Sequence, residues 1–481
     1  MQTTAVQSQP QAVTLQRYAR EFIESTRAYV YIRPQDGLLI LRPNRMFYLN
    51  KMAVRMLDQL YGAPDGPDAE GVVASVADEY SADAERVRSD LRALLGSLQD
   101  LLANRFTGAD NVKEMRFRSH PRNLPVLSEI ALTYRCQNRC TFCYADAPAR
   151  GRKVPEMTTE EVKVIIDRIF DEAHCPTVSF TGGEPTLRED LPELVAYAHS
   201  KSDRGVPMRV NLITNGLRCA DRAFVHSLAE AGLDSAQLSL EGPTAEVHDA
   251  ITQHPGAWEL AVQGVHTLRA EGIHTHTNTT ICGGNRAHLL ELVDFIADEL
   301  HSEYFSMNMV IRTGTALVHG EDDITYAEIG GILKPVQQRA VEKGTHFVWY
   351  SPTPYCLFNP VTAGLSSKSC ACVDGLLSVN PSGELLPCSS FEKGIGDLLH
   401  RPFAEVWNTR TALYWRRKEF IPPMCQRCEI REICCGACPL YWAQRNSFAE
   451  LEPVAPGSSK LAGVGWAVRR RLWSGTRGVG L

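Results

Sequence analysis

The sequence has no apolar stretch long enough to cross a membrane. A transmembrane helix needs roughly 18 or more consecutive apolar residues, and polar residues interrupt every hydrophobic stretch before that length. The N-terminus, MQTTAVQSQPQAV, also lacks the basic segment and apolar core of a secretory signal. We therefore expect a cytoplasmic protein without a membrane partner.

Basic charge is not in excess either. Lysine and arginine number 50 against 56 acidic residues, which gives a formal net charge of −6. Nucleic-acid-binding proteins usually carry a basic excess, so we predict no nucleic-acid partner. The hydrophobic fraction of 44% is that of a globular chain, and 481 residues suffice for about two to four domains.

Cysteine, in contrast, is abundant. The chain has 15 cysteines; in a secreted miniprotein they would suggest disulfides, but in a large chain without a signal they indicate metal binding. One group lies at 136–143, and a second runs from 356 to 438. Only Cys175, Cys219 and Cys282 stand apart, and we expect them to pack as small apolar side chains.

The central part of the chain, from about residue 123 to 345, alternates strand-like and helical patterns. Amphipathic helical runs separate six strand-like runs: EIALTY, TVSF, MRVNLIT, SAQLSL, THTNTTI and YFSMNM. Such repetition implies an α/β fold with a parallel sheet, and six strands fit a partial (β/α)6 TIM-like barrel better than a closed barrel. In such folds, chemistry gathers at the carboxyl ends of the strands.

Two further domains flank this core. Residues 16–107 contain three short extended runs, AYVYIRP, GLLILRP and MFYLN, then three helical patterns, and predict a small winged-helix-like domain. Residues 346–445 lose helical periodicity and gain cysteine, glycine and proline, which predicts a cysteine-rich domain. We expect disorder at 1–15, a linker at 108–122 and a loosely attached basic tail at 446–481.

The cysteine group at 136–143 follows the first strand of the core. Cys136, Cys140 and Cys143 form a C-x3-C-x2-C pattern on one loop. Three thiolates can hold three irons of a cubane cluster and leave the fourth iron open for a ligand. The full string, LTYRCQNRCTFCYADAP, with Phe142 before the third cysteine, resembles the motif of the radical S-adenosylmethionine (SAM) superfamily. Zinc is the alternative, but it would need a fourth cysteine or histidine nearby.

A second motif supports this resemblance. Thr-Gly-Gly-Glu-Pro follows the second strand of the core, so it lies on the same rim as the cysteine loop. Glycine there permits close backbone approach to a ligand. In the superfamily this stretch contacts the methionine end of SAM, and Glu184 would accept hydrogen bonds from its ammonium group. The resemblance thus implies SAM contacts at Gly182, Gly183, Glu184 and Pro185.

Two further rim positions follow the next strands. Asn215 comes after the third strand, with a plain turn as the alternative, and Ser239 at the fourth resembles the ribose-contacting serine of the superfamily. The resemblance implies a [4Fe–4S] cluster and SAM as cofactors. It also implies an electron donor such as flavodoxin or ferredoxin, and a 5′-deoxyadenosyl radical that abstracts hydrogen from the substrate.

The C-terminal cysteines form a second pattern. Cys372 and Cys388 are separated by ten residues, Gly383 and four more, and C-x2-C-x5-C-x3-C runs from Cys425 to Cys438. Together they resemble the SPASM domain, the auxiliary-cluster module of peptide-modifying radical SAM enzymes. The resemblance implies one or two auxiliary iron–sulfur clusters, with ligands among Cys370, Cys372, Cys388, Cys425, Cys428, Cys434 and Cys438.

The division of these ligands stays partly open. The resemblance implies that one cluster is bound by Cys372, Cys388 and Cys438, with Cys370 or Cys356 as its fourth ligand. A second cluster takes the first three cysteines of the C-x2-C-x5-C-x3-C group. The family supplies one more cysteine downstream, but this chain has none after Cys438. The second cluster therefore uses Cys435, a non-cysteine ligand or an open iron, or is absent. Structural zinc at this group is the alternative.

The N-terminal domain carries a softer signature. The string YIRPQDGLLILRPNRMFYLN, the amphipathic helix after it and DEYSADAERVRSDLRALLGSLQDLL resemble the PqqD-like peptide-recognition domain of ribosomal peptide maturases. The resemblance implies that a precursor peptide adds its leader as a strand to a sheet edge of residues 16–107. A generic DNA-binding winged helix is the alternative, but the segment is acidic and lacks a dense basic helix.

The three resemblances together imply a maturase of ribosomally made precursor peptides. Such an enzyme cleaves SAM to a 5′-deoxyadenosyl radical and cross-links or rearranges peptide side chains. Two other enzyme classes stay open, modification of a tetrapyrrole and maturation of a sulfatase-type protein, although neither gives a leader-binding domain a task. A non-catalytic iron–sulfur scaffold that binds peptide is the last alternative. No catalytic acid or base is identified.

Overall fold

The computed structural model describes residues 14–41, 45–63, 66–102, 112–114, 124–319 and 324–454. They form two compact units: the described residues before position 116 together with Ser202–Val206, and the remainder. The disorder expected at 1–15 and the basic tail expected at 446–481 lie mostly outside the described residues. Within the described ranges, no helix combines the length and apolarity that a bilayer crossing requires.

The N-terminal unit packs helices against a small antiparallel sheet. Its helices are α1 (Leu15–Thr26), α2 (Lys51–Gly62), α3 (Ala69–Tyr80) and α4 (Ala84–Leu102). Its strands, in sheet order, are β1 (Val30–Arg33), β2 (Leu38–Leu41), β3 (Arg45–Leu49) and β4 (Val112–Glu114). The three expected strands and three expected helices are present, and α1 and β4 were not predicted.

One apolar core holds this unit together. Ala19 and Ile23 of α1, Leu39 of β2, Leu57 of α2 and Leu91 of α4 are all fully buried in it. Burial of each such leucine or isoleucine contributes about 1.5–3 kcal/mol. Helix starts are fixed locally: Asn50, for example, accepts a hydrogen bond from the backbone N–H of Ala53 (2.8 Å) and caps α2.

The second unit is built on a ten-stranded sheet. Seven strands pair in parallel: β5 (Leu127–Thr133), β6 (Thr177–Gly182), β9 (Arg209–Thr214), β10 (Ser235–Ser239), β11 (His274–Ile281), β12 (Tyr304–Met309) and β13 (His346–Trp349). A separate two-stranded ribbon of β7 (Ser202–Asp203) and β8 (Val206–Pro207) precedes β9 in the chain, and Ser202–Val206 of this ribbon belong to the N-terminal unit. The α/β class and the parallel sheet of a partial barrel are thus confirmed, while β13 is an additional strand that sequence analysis did not predict.

Helices follow the parallel strands as expected for strand–helix repeats. They are α5 (Ala147–Arg150), α6 (Thr159–Asp167), α7 (Leu191–Ser200), α8 (Arg222–Glu230), α9 (Ala245–Thr252), α10 (Ala257–Ala270), α11 (Leu289–Asp298) and α12 (Tyr326–Lys343). Alternate strand residues such as Phe180, Leu212 and Leu238 are fully buried in the core beneath these helices. The strand residues between them, among them Ser179 and Asn211, point to the opposite face.

The cysteine-rich segment continues the same sheet. Its strands are β14 (Leu376–Val379), β15 (Glu384–Leu386) and β16 (Gly396–Asp397). Strand β14 pairs in parallel with β5, and the next two pairings are antiparallel. Its helices are α13 (Phe403–Trp407), α14 (Arg410–Arg416), α15 (Arg431–Cys434) and α16 (Pro439–Arg445). Through this pairing, the segment that carries the C-terminal cysteines belongs to the same unit as the barrel.

Candidate iron–sulfur and SAM site

The loop after β5 carries three cysteines, Cys136, Cys140 and Cys143, as the sequence predicts. The end of α9 holds this loop by its backbone. The N–H of Arg139 donates to the carbonyl of Thr252 (2.9 Å), and a second backbone bond follows two residues later. The loop is therefore fixed at the carboxyl rim of the sheet, where the fold places reactive groups.

A second clamp comes from the turn after β12. The backbone N–H of Thr315 donates to the carbonyl of Cys143 (3.1 Å), and its hydroxyl donates to the carbonyl of Cys140 (2.8 Å). Gly314 has a φ of +55°, and a Cβ there would lie 2.1 Å from the carbonyl oxygen of Cys143. Sequence analysis missed both residues, because they lie beyond the end of β12 and no local pattern marks them.

The three thiols share one buried environment. Burial raises the pKa of Cys136 to about 12, and the nearby Glu184 and Cys143 add to the rise. Burial also raises the pKa of Cys140, with further contributions from Cys143, Glu241 and Cys136. Three thiolates crowded together are unfavourable without a counter-charge, and cationic iron supplies one. The donor set therefore fits an iron–sulfur cluster.

The Gly-Gly-Glu-Pro loop lies directly against the start of the cysteine loop. The N–H of Gly183 donates to the carbonyl of Thr133 (2.7 Å), and that of Glu184 donates to the carbonyl of Arg135 (2.8 Å). A Cβ at Gly182, where φ is +137°, would lie 2.1 Å from the Thr133 carbonyl oxygen. The sequence predicts that these glycines permit the approach of a ligand. The structure shows that they also permit the approach of the neighbouring backbone, and Pro185 then begins a short 3-10 turn.

Glu184 is fully buried at the junction of two loops. Its carboxylate accepts hydrogen bonds from the N–H of Thr186 (3.0 Å), the hydroxyl of Thr186 (2.6 Å), the hydroxyl of Thr214 (2.7 Å) and the N–H of Asn215 (2.8 Å). Burial raises the pKa of Glu184, and these hydrogen bonds oppose the rise. Glu184 thus joins the loops after β6 and β9, and its contact with SAM stays a prediction.

Asn215 faces the cluster loop. Its side-chain NH2 lies 3.8 Å from the sulfur of Cys136, and its side-chain oxygen accepts from the N–H of Leu217 (3.1 Å). Asn215 therefore forms the plain turn that sequence analysis left as the alternative and also contacts a thiol of the cluster loop, and its contact with SAM stays a prediction. Ser239 ends β10 in register with Asn278 of β11.

A row of hydrogen-bonded polar side chains crosses β11 and β12. We call it the polar face and define it as Asn278, Thr280, Ser306 and Asn308. Asn278 donates to Asn308 (2.8 Å) and accepts from the hydroxyl of Ser306 (2.9 Å), and Asn308 donates to the hydroxyl of Thr280 (3.2 Å). These residues alternate with buried ones such as Phe305, so they lie on the sheet face away from the helices.

The C-terminal cysteines separate into two groups. Hydrogen bonds with Cys370 and Cys388, together with burial, hold the pKa of Cys372 well above its ordinary value. Burial, and then the proximity of Cys370 and Cys388, raises the pKa of Cys438. Between the two upstream candidates, the geometry therefore places Cys370, and not Cys356, in this first group.

The second group lies around one pocket, which is lined by Cys356, Cys425, Cys428 and Cys434. Burial raises the pKa of Cys425 to about 12, with added effects of Cys434, Cys356 and Cys428. The zinc alternative required Cys438 in this group, but Cys438 lies with the first.

Gly383 shapes the turn between β14 and β15. It has a φ of +82°, and a Cβ there would lie 2.7 Å from the Cβ of Leu399. Its N–H donates to the carbonyl of Asn380 (3.0 Å), which closes the turn. Only glycine adopts this conformation at so close a contact without strain. The glycine of the Cys372–Cys388 motif is thus a structural requirement of the hairpin between the two ligands.

Comparisons with known proteins agree with this geometry. Three family models match: the radical SAM superfamily at residues 130–296, coenzyme PQQ synthesis protein D (PqqD) at 37–101, and the SPASM iron–sulfur cluster-binding domain at 370–429. A PqqA peptide cyclase of Rhizobium meliloti is 30% identical over 67% of this chain and 84% of its own length. The chain belongs to the radical SAM superfamily.

Other relatives of this radical SAM enzyme are named for different activities. An AdoMet-dependent heme synthase of Oleidesulfovibrio alaskensis is 27% identical over 67% of this chain and 85% of its own length. The crystal structure of Streptococcus suis SuiB bound to the precursor peptide SuiA is 15% identical. It matches with a TM-score of 0.63 over 90% of this chain and 97% of that one, which shows a shared fold.

Membership settles the class and its cofactors. The chain is an enzyme, and its cofactors are SAM and [4Fe–4S] clusters. The loop of Cys136, Cys140 and Cys143 fits the superfamily's cluster, and the two C-terminal cysteine groups fit auxiliary clusters.

Proposed function

We propose that this radical SAM enzyme modifies side chains of a ribosomally made precursor peptide, by cross-linking or rearrangement. The observation that carries the proposal is the combination in one chain of a cysteine loop braced at the rim of a partial barrel and an N-terminal unit of the PqqD family. The named activity of a PqqA peptide cyclase relative supports the peptide as substrate.

In this proposal, Cys136, Cys140 and Cys143 hold the cluster, and bound cluster and SAM together supply a 5′-deoxyadenosyl radical. Glu184 acts as a positioning residue, because its carboxylate fixes the loops after β6 and β9 against the cysteine loop. The contacts proposed for SAM are Gly182, Gly183, Glu184, Pro185, Asn215 and Ser239. An electron donor such as a flavodoxin or ferredoxin supplies the reducing electron.

The auxiliary clusters are assigned to the C-terminal domain, residues 346–445. We propose that Cys370, Cys372, Cys388 and Cys438 hold the first and that Cys425, Cys428 and Cys434 contribute to the second. The grouping of these thiols supports the division. Both clusters then lie on the unit that also carries the barrel.

The proposed recognition domain is residues 16–107 of the N-terminal unit, whose sheet also takes in β4 (Val112–Glu114) from the segment predicted as a linker. Its sheet has the order β1-β2-β3-β4, with β1 and β4 outermost. We propose that the leader of the precursor pairs with a strand edge of this sheet, where backbone hydrogen bonds give affinity and side-chain pockets give specificity. Fusion to the radical core then raises the effective concentration of the attached substrate segment.

Modification of a tetrapyrrole is the second candidate, because several relatives are named heme or coproporphyrin synthases. The polar face favours the peptide. Its amides and hydroxyls match the donors and acceptors of peptide groups, whereas the apolar plane of a tetrapyrrole offers them no hydrogen-bond partner. The N-terminal unit would also have no peptide to recognise if the substrate were a tetrapyrrole.

The class is tested with the reconstituted full chain, SAM and dithionite. Deoxyadenosine should form with the wild-type chain and should vanish after replacement of Cys136, Cys140 and Cys143 by alanine, while the C-terminal iron stays bound. Deoxyadenosine from that triple variant would remove the assignment of the cluster loop.

The substrate is tested in parallel reactions with a peptide encoded beside the gene and with iron-coproporphyrin III. A mass change in the peptide that requires SAM supports the peptide proposal. A change in the porphyrin, with the peptide untouched, would replace it by the second candidate.

A further inference from the structure

The pocket of the second C-terminal cysteine group contains a cysteine from outside the local motif. Cys425, Cys428 and Cys434 come from one short segment, and Cys356 reaches the same pocket from far upstream. We propose that Cys356 is the fourth ligand of the second auxiliary cluster. The inference rests on the proposed function only in taking these cysteines as iron–sulfur ligands.

A tight turn brings Cys356 to this place. The N–H of Leu357 donates to the carbonyl of Pro354 (3.0 Å), and that of Phe358 donates to the same carbonyl (2.9 Å). Directly before the cysteine, the N–H of Tyr355 donates to the sulfur of Cys434 (3.4 Å). The residue next to Cys356 thus contacts a thiol of the motif itself, which fixes Cys356 beside that thiol.

Both sides of this turn are anchored. Phe358 is buried in the core under the barrel, and a Cβ at Gly330 of α12 would lie 2.9 Å from its ring. The hydroxyl of Tyr355 accepts from the N–H of Lys368 (3.2 Å). Because the residues on both sides of Cys356 in the chain are held by these contacts, the fold itself places Cys356 at the pocket.

Cys435 is the competing candidate by sequence, since it directly follows Cys434. It is fully buried, adopts a left-handed conformation (φ +56°), and its thiol lies 3.7 Å from the carbonyl of Glu432. It does not line the pocket. Cys370, the other upstream cysteine considered as a ligand, lies with Cys372 in the first group. The chain therefore provides four cysteines to each of two auxiliary sites.

This arrangement replaces the cysteine that the sequence lacks after Cys438. Three thiolates of the C-x2-C-x5-C segment bind three irons, and the thiolate of Cys356 binds the fourth as its proton leaves to solvent. Cys356 is exposed, whereas Cys425 and Cys434 are buried. The iron that Cys356 binds is thus the corner nearest to solvent, and a substitution there removes a ligand without opening the core.

The test uses the full chain in which Cys136, Cys140 and Cys143 are alanine, so that bound iron reports on the auxiliary sites alone. This background should hold about eight irons, as expected for two four-iron clusters. In this background, the further substitution Cys356→Ala should lower the iron content by about one to four irons per chain. The variant should then either give the EPR signal of a three-iron cluster or lose the cluster. Cys356→Ser should keep more iron and shift the EPR spectrum, because oxygen replaces sulfur as the ligand.

Cys435→Ala is the matched control and should leave iron and the EPR spectrum as in the background. Unchanged iron and EPR in Cys356→Ala would overturn the proposal, and so would loss of the cluster in Cys435→Ala with retention in Cys356→Ala. A failure of the proposed function is distinguishable, because deoxyadenosine and peptide product are measured separately in the chain with its N-terminal cysteines intact.

Discussion

Glu184 lies where two loops of the site meet, and four hydrogen-bond donors surround its carboxylate. Burial of a carboxylate is costly unless such bonds replace its hydration. All four partners donate, so the position requires a side chain that only accepts. Glutamine fails this requirement, because its NH2 group would face a donor. The glutamate of the Gly-Gly-Glu-Pro motif is therefore explained by its own surroundings before any ligand binds.

Glu184→Gln should consequently weaken both the fold and the site. We expect a loss of about 1–3 kcal/mol in the free energy of unfolding, and a fall of roughly 10- to 100-fold in deoxyadenosine formation through misplaced loops. Chemical denaturation and the deoxyadenosine assay measure the two effects. Glu189→Gln, the same change at an exposed glutamate nearby, is the control. Equal behaviour of the two variants would contradict the positioning role.

His276 of β11 is a buried imidazole whose surroundings fix its neutral form. Its Nδ1 accepts from the hydroxyl of Tyr304 (2.9 Å), so its Nε2–H donates to the side-chain oxygen of Gln237 (3.2 Å). Burial, and then the charge of His274, lowers the pKa of His276 to about 4. Burial is thus the main reason that the ring stays neutral in the folded chain.

The depressed pKa of His276 predicts a pH dependence of stability. Below about pH 6.5 the unfolded chain binds a proton at His276, whereas the folded chain binds it only near pH 4. The free energy of unfolding therefore falls as the pH falls through this window. In the His276→Gln variant, the loss in the free energy of unfolding between about pH 7 and 5.5 should be smaller by about 1 kcal/mol. Denaturation at both pH values, with exposed His346→Gln as control, measures it. An unchanged slope would refute the burial argument.

At the level of elements, the strand–helix repeats were predictable because their apolar periods are long and regular. The misses have physical causes. Helix α1 follows a polar N-terminus and has only a narrow apolar face, with Leu15, Ala19, Phe22 and Ile23 buried. Strand β4 is three residues long and owes its state to pairing with β3. Strand β13 reads HFVW and extends the sheet only because β12 offers an edge.

Some residues of the candidate site are recognisable from local sequence patterns, and others only from contacts between distant parts of the chain. The cysteine spacings and the Gly-Gly-Glu-Pro motif are local, and they predict the loops that the structure brings together. The sequence named Cys356 only as an alternative ligand of the first auxiliary cluster and did not name Gly314 at all, because each meets its partners across a long stretch of chain. Their role follows from strand order and loop geometry, which no local spacing encodes.

Gly314 offers an element-scale prediction about the clamp on the cysteine loop. A Cβ there would lie 2.1 Å from the carbonyl oxygen of Cys143, so Gly314→Ala must move one of the two loops. We expect loss of deoxyadenosine formation and of about four irons per chain. Gly331→Ala is the control: nothing lies within 4 Å of its Cβ position on α12, and it should stabilise by at most about 1 kcal/mol. Retained iron in Gly314→Ala would show that the clamp is dispensable.

At the scale of the whole molecule, the proposed division of labour separates recognition from chemistry. The N-terminal unit matches a peptide-recognition family, and the second unit carries all ten proposed cluster ligands named from the sequence together with Cys356. If the leader alone is recognised, the modified segment needs little affinity of its own. The rate at saturation should then depend on the barrel and the apparent affinity on the N-terminal unit.

This separation gives a kinetic prediction for the intact enzyme. A precursor peptide without its leader should show a KM at least about 100-fold higher than the complete precursor, with kcat nearly unchanged, because tethering raises effective concentration and does not alter the chemical step. Initial rates of product formation over a range of each peptide measure both constants. Free leader added in excess should inhibit the complete precursor by competition at the sheet edge, and a scrambled leader should not. Equal kcat/KM for the two peptides would show that recognition lies in the barrel and not in the N-terminal unit.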